Sequence, residues 1–201
     1  MNWITFQHWN RTQLRKEWEQ AQPFPHVIVD NAVPADRLQT LREAVAAEPH
    51  GPNCSALYEM MASAETVQHA TLRGFQQSLQ IPSFLETLHA ITTRRVQTAD
   101  LRSYVYLEGS FLLPHTDSGR DNRRQIAYML YLSDPAHSTG GELLLYEATL
   151  HKGEVVATRQ ASSIRPEAGR LVLFEVSNHS LHEVSEITQG ARVSLTGWFY
   201  E

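Results

Sequence analysis

Two kinds of apolar spacing divide the chain near residue 100. In the first half, Leu14 and Trp18, and then Leu38, Leu41 and Val45, recur at helical intervals, so each set shares one face. Asn10, with Gln13 following, caps the first of these helices, which stops near Pro23. Residues 24–30, Phe24-Pro25-His26-Val27-Ile28-Val29-Asp30, read as a short strand. Pro34 then leads into a helix over residues 35–47, and Pro49 ends the pattern. Residues 50–63 carry neither period. Two further helices are predicted over residues 64–79 and 83–91, the second entered from Pro82.

From Leu101 onward the pattern changes to short apolar runs punctuated by Gly, Pro, Asn and Asp. The runs cover residues 101–107, 125–132, 142–146, 154–158, 170–176, 182–187 and 192–200. Such spacing predicts an antiparallel sandwich or barrel rather than alternating βαβ units. The expected fold is mainly β with packing helices: a jelly roll, that is, a cupin-like double-stranded β-helix with an N-terminal helical region. No repeat, low-complexity tract or linker interrupts the chain, so residues 1–201 are expected to form one domain. Residues 1–100 would be mostly helical support and residues 101–201 the jelly-roll core.

Composition narrows the field. With 42% apolar and 19% charged residues, the chain is an ordinary globular protein able to bury a core. Its formal charge is −5, and its basic clusters, Arg94-Arg95 and residues 120–124, are short, which disfavours a nucleic-acid partner. No apolar run approaches a membrane span and no basic-then-apolar leader opens the chain, so a cytoplasmic protein is expected. The single cysteine, Cys54, agrees with a reducing compartment.

Ten histidines make metal chemistry a question of spacing. In His115-Thr116-Asp117 the outer side chains fall on one side of an extended segment, so an imidazole and a carboxylate can meet one ion. A second imidazole is offered by His182, or by His179, which spacing alone does not separate. Two imidazoles and one carboxylate leave three positions of an octahedron open, as ferrous iron needs when it binds a chelating co-substrate together with O2. Arg192 enters a largely apolar final strand. It lies either at an exposed strand end or against an anion inside the fold, where a guanidinium grips a carboxylate with paired hydrogen bonds. Ser194 faces the same side.

Taken in order, these motifs resemble the iron(II)- and 2-oxoglutarate-dependent dioxygenases, in the prolyl-hydroxylase-like branch. The matching residues are Tyr106-Leu107-Glu108-Gly109, Pro114-His115-Thr116-Asp117, Gly140-Gly141-Glu142-Leu143, Pro166 with Gly169 and Phe174, His182-Glu183-Val184, and Arg192 through Phe199. Residues 23–30 are also similar to the opening of the branch that contains the ribosomal-protein prolyl hydroxylases. The resemblance implies that His115, Asp117 and His182 hold Fe(II), leaving His179 a neighbour. It further implies that Arg192 anchors 2-oxoglutarate, that Tyr106 contacts it, and that Tyr131 is either a second contact or a core aromatic. Because Asp117 is neither Gly nor Ala, halogenating chemistry is disfavoured. The implied reaction is hydroxylation of an unactivated C–H bond with release of succinate and CO2, O2 as oxidant and ascorbate as an accessory reductant. Substrates would be a prolyl residue of a protein or peptide, or an amino-acid-derived small molecule. The rival class is a non-catalytic barrel binding metal or 2-oxoglutarate as sensor or scaffold. Residues 118–124, carrying Arg120, Arg123 and Arg124, are either a flap touching substrate or a solvated basic turn.

Overall fold

The computed structural model describes residues 3–119, 123–133, 135–151 and 154–201. The helices are α1 (Arg11–Gln20), α2 (Ala35–Ala47), α3 (Ala70–Ser78) and α4 (Pro82–Thr92). The strands of the first half are β1 (His26–Val29), β2 (His50–Ser55), β3 (Tyr58–Ser63) and β4 (Thr98–Ala99). Those of the second half are β5 (Arg102–Tyr106), β6 (Phe111–His115), β7 (Arg124–Tyr131), β8 (Leu143–His151), β9 (Glu154–Ile164), β10 (Leu171–Glu175), β11 (Leu181–Val184) and β12 (Arg192–Tyr200). All strand pairing is antiparallel, in the order β1-β10-β7-β12-β5-β3-β6-β11-β8-β9, with β2 on β3 and β4 on β12. The sheet curls into a half-barrel, a double-stranded β-helix. One wall runs from β1 to β5 and the other from β6 to β9. Among the described residues, β3 is the hinge between them, pairing β5 at Met61 and Ala62 and β6 at Tyr58 and Glu59.

The central strands are apolar on both faces because both faces are covered. On β7, Ile126, Tyr128 and Leu130 join a core shared with the helices, while Ala127, Met129 and Tyr131 point into the barrel. Strand β10 alternates likewise, with Leu171 and Leu173 outward and Val172 and Phe174 inward. Against the outer face pack Leu41 of α2, Leu72 and Phe75 of α3, Phe84, Leu88 and Ile91 of α4, and Trp18 of α1. Each of these buried side chains is worth about 1.5–3 kcal/mol of transfer free energy. The outward residues of β12, Leu195 and Phe199, belong to the same core. Its opposite face, Arg192, Ser194, Thr196 and Trp198, is thereby turned into the barrel.

The helices α1, α2 and α4 lie where periodicity places them, and Asn10 caps α1 by accepting the amide of Gln13 at 3.1 Å. The first half is less helical than expected, since β1 to β4 join the same sheet as the second half. Residues 50–63 are a β-hairpin. Helix α3 begins at Ala70 rather than Ala64, because the amides of Gln68 and His69 are captured by the buried carboxylate of Glu48 at 2.7 and 2.6 Å. Within residues 118–124, the segment 120–122, including Arg120, lies outside the described residues. Arg124 is no turn residue: it opens β7, and its guanidinium covers the ring of Trp198 at 3.7 Å.

Candidate active site

His115 ends β6, and His182 stands directly opposite it on β11. Asp117 follows two residues after β6. Chain reversal and strand register therefore bring His115 and Asp117 to a residue 67 and 65 positions further along the sequence. One ligand atom of each of the three residues lies within 4.8 Å of the others. His115 Nε2 is 3.7 Å from Asp117 Oδ1, and His182 Nε2 is 3.8 Å from Asp117 Oδ2. Neither imidazole is free to choose its tautomer. His115 Nδ1 donates to the carbonyl of Leu113 at 3.0 Å and His182 Nδ1 donates to that of Ser180 at 2.9 Å, since a carbonyl oxygen only accepts. Both Nε2 lone pairs are left to face the carboxylate, the orientation a metal ligand requires. Burial lowers the pKa of His182 to about 4, with Asp117 opposing and His115 adding to the drop, so this imidazole is neutral at neutral pH. His179, the competitor by spacing, is exposed.

The three residues open on a cavity of about 410 Å³. Its depth is lined by Arg192, Ser194 and Thr196 of β12, Tyr104 and Tyr106 of β5, and Met129 of β7. Arg192 is 1% exposed, yet among the described residues its Nε and Nη1 have no hydrogen-bond partner, and its Nη2 reaches the thioether of Met129 at 3.3 Å. The rings of Tyr106 and Tyr131 lie 4.7 and 5.0 Å from its guanidinium carbon. A buried guanidinium with unused donors is costly unless an anion meets it. Tyr106 lines the cavity, and burial, with Arg192 opposing, pushes its hydroxyl up to about 12, so it keeps its proton to donate. Ser194 Oγ accepts from Thr196 at 3.4 Å and retains its own proton. Tyr131 does not line the cavity; its ring backs the guanidinium and its hydroxyl turns to Met129.

The donor set suits the expected ligands. Two imidazole nitrogens and a carboxylate oxygen form a facial set for Fe(II). The orphaned guanidinium, flanked by two hydroxyls, suits the far carboxylate of a dicarboxylic keto acid. Spacing did not reveal Trp198, whose indole Nε1 donates to Asp117 Oδ2 at 2.8 Å. The period of two along β12 was the available signal, because it puts Trp198 on the face of Arg192. Gly141 was quoted only as part of a motif. A Cβ there would meet Ile187 Cδ1 at 2.5 Å and Arg192 Cδ at 2.9 Å, so the glycine makes room for the arginine stem.

The family model of the 2OG-Fe(II) oxygenase superfamily matches residues 101–200, which hold every one of these site residues. Prolyl 3-hydroxylase OGFOD1 of Xenopus laevis is 28% identical over 211 positions, covering 94% of this chain and 40% of its own length. Prolyl 3,4-dihydroxylase OGFOD1 of Ostreococcus tauri is 36% identical over 108 positions, covering 50% of this chain and 20% of its own length. A PKHD-type hydroxylase of Cupriavidus metallidurans is 33% identical across 47% of this chain and 36% of its own length. The chain thus spans two fifths or less of these curated relatives. A Pseudomonas putida prolyl-4-hydroxylase shares the fold, with a TM-score of 0.72 at 21% identity and coverage of 95% and 98% of the two chains. A Trichoplax adhaerens prolyl hydroxylase, solved with a hypoxia inducible factor peptide fragment, gives 0.72 at 16% identity and covers 98% and 93%. On this evidence of sequence and fold together, the chain belongs to the 2OG-Fe(II) oxygenase superfamily, among its prolyl-hydroxylase-like members.

Proposed function

We propose that this chain is an Fe(II)- and 2-oxoglutarate-dependent hydroxylase whose metal ligands are His115, Asp117 and His182. The single observation that carries the reading is the shared cavity. The histidine and carboxylate cluster and a buried arginine with unsatisfied donors face one space of about 410 Å³. Bound iron and 2-oxoglutarate supply the oxidising power, which with O2 hydroxylates a C–H bond and yields succinate and CO2.

The chain's own residues position and shield that chemistry. The Leu113 and Ser180 carbonyls fix the imidazoles with Nε2 toward the ion, and burial keeps His182 unprotonated. Arg192 holds the distal carboxylate of the keto acid, with Tyr106 and Ser194 as further donors and Tyr131 as backing. Phe174, Met129 and Val184 on the cavity wall exclude water, which strengthens every charge interaction inside. The substrate class is a prolyl residue in a peptide or protein, supported by the printed activities of the OGFOD1 relatives and of the P. putida neighbour. The whole unit, residues 1–201, works as one domain in this reading, because helices and sheet share a core. Among the described residues no helix is long and apolar enough to cross a membrane. The exposed lone thiol of Cys54 supports a reducing, cytoplasmic setting.

The test is turnover. Purified protein with Fe(II), 2-oxoglutarate, O2 and ascorbate should form succinate and add one oxygen atom to proline-containing peptides, read by mass spectrometry. Addition to free amino acids but not to peptides would move the substrate class. Protein that binds neither Mn(II) nor 2-oxoglutarate would overturn the reading.

A further inference from the structure

We infer that Trp198 is a positioning residue that holds Asp117 to a single metal-donor oxygen and so keeps three coordination positions open. The inference rests on the proposed iron site. It starts from the allocation of the two carboxylate oxygens. Each oxygen faces one imidazole, Oδ1 at 3.7 Å from His115 Nε2 and Oδ2 at 3.8 Å from His182 Nε2, but Oδ2 also accepts the indole N–H of Trp198 at 2.8 Å, within the range of a short, charge-assisted hydrogen bond, whereas Oδ1 has no such donor among the described residues. A carboxylate with both oxygens free can chelate one ion. With Oδ2 engaged as an acceptor, part of its electron density is committed to the indole, which leaves Oδ1 the stronger donor toward an ion.

Donor arithmetic makes the difference consequential. Two imidazoles and one oxygen use three of six octahedral positions, and a chelating keto acid with O2 needs the remaining three. A chelating Asp117 would leave two, and either the keto acid or O2 would lose its place.

Trp198 is itself held at its backbone and over its ring. Its backbone N–H donates to Asp100 Oδ1 at 2.6 Å. The neighbouring Gly197 packs so close to Asp100 that a Cβ would come within 2.5 Å of the Asp100 carbonyl oxygen. The Arg124 guanidinium covers the ring face at 3.7 Å. These contacts fix the strand that carries the indole and cover one face of its ring. The aromatic area of Trp198 alone does not account for the arrangement, since a phenyl ring would fill the space beneath Arg124 without the N–H.

The experiment uses the full chain loaded with Mn(II), which is redox-stable and whose bound waters are counted by water-proton relaxation. Wild type should carry three exchangeable waters. Trp198→Phe should carry two, a fall in relaxivity of about one third. Its Mn(II) affinity should be equal or tighter, and its affinity for 2-oxoglutarate should be about tenfold weaker in calorimetric titration. Equal water number and equal 2-oxoglutarate affinity in the two proteins would overturn the inference. Failure of wild type to bind Mn(II) would instead overturn the iron site itself. If Trp198→Phe does not fold, benzothienylalanine at position 198 keeps the bicyclic shape without the N–H, and the same two readings decide.

Discussion

Arg192 carries the sharpest conflict between stability and use in this molecule. Its guanidinium is buried, and among the described residues two of its nitrogens have no hydrogen-bond partner while the third reaches a thioether. Removing such a charge in favour of an apolar side chain of similar reach is commonly neutral or stabilising. Arg192→Met should therefore leave the thermal midpoint of the ligand-free protein unchanged or raise it by a few degrees, about 2–4 °C for each kcal/mol. Affinity for 2-oxoglutarate should fall by about a hundredfold or more. A strongly destabilised variant would mean that the arginine is satisfied in the empty protein. His182 sets a pH dependence of the opposite kind. Its folded pKa, about 4, lies below the ordinary 6.5, so between these values the unfolded chain binds more protons than the native one. Stability of the metal-free protein should consequently drop as pH falls from 6.5 toward about 4; His26, also lowered by burial, acts in the same direction. Denaturant melts from pH 7.5 to 4.5 check this, and His182→Gln should flatten the slope. A wild-type profile as flat as the variant's would refute the assignment. At this scale the sequence offered imidazole and carboxylate groups as candidate ligands but not their burial. His179 and His182 look alike in the chain, and only the register of β11 against β6 turns one inward and leaves the other in water.

Among the secondary-structure elements, legibility followed the strength of the local signal. Helices α2 and α4 are bounded by proline and carry a clear apolar face, and both lie where the spacing places them. Strand β6 went unseen because Phe111-Leu112-Leu113-Pro114-His115 shows no alternation and contains a proline. Strand β2 holds Gly51, Pro52 and Asn53, residues that weaken a strand; among the described residues it survives as an edge, pairing with β3. Helix α3 lost its first six expected residues to the Glu48 carboxylate, a tertiary partner that no local pattern contains. Glycines test how far each element is tied to the site. Gly74 sits inside α3 with open space around its missing Cβ, so Gly74→Ala should stabilise the protein by about 0.5–1 kcal/mol and leave turnover unchanged. Gly141 has φ +78°, and its Cβ would strike both Ile187 and Arg192. Gly141→Ala should cost about 2–3 kcal/mol in a denaturant melt and weaken 2-oxoglutarate binding, because the displaced atom belongs to Arg192, the proposed anchor. Equal effects of the two substitutions on 2-oxoglutarate affinity would show that the turn at Gly141 is not coupled to the pocket.

Across the whole molecule, the candidate site spans the two walls of the half-barrel. His115 and His182 stand on β6 and β11 of one wall, whereas Arg192, Ser194 and Tyr106 stand on β12 and β5 of the other. The walls meet through the short pairings of β3 and through the hydrogen bond from Trp198 to Asp117. The outer face of the β12 wall is braced by the helical core, and the β6 wall is not part of that core. A keto acid held by metal at one end and by Arg192 at the other would tie the walls together, so the two ligands should be energetically coupled. Mn(II) alone and 2-oxoglutarate alone should each raise the thermal midpoint modestly. Together, at about a hundred times their dissociation constants, they should raise it by more than the sum, with about 2.7 kcal/mol expected from each saturated site before any coupling. Linkage requires the reciprocal effect: 2-oxoglutarate must tighten Mn(II) binding by the same factor that Mn(II) tightens 2-oxoglutarate. Arg192→Met should keep the shift from Mn(II) alone and lose the excess, because the clamp then has only its metal end. Strictly additive shifts in the wild type would mean that the ligands do not bridge the walls, and that the guanidinium and the metal cluster serve separate molecules in one cavity.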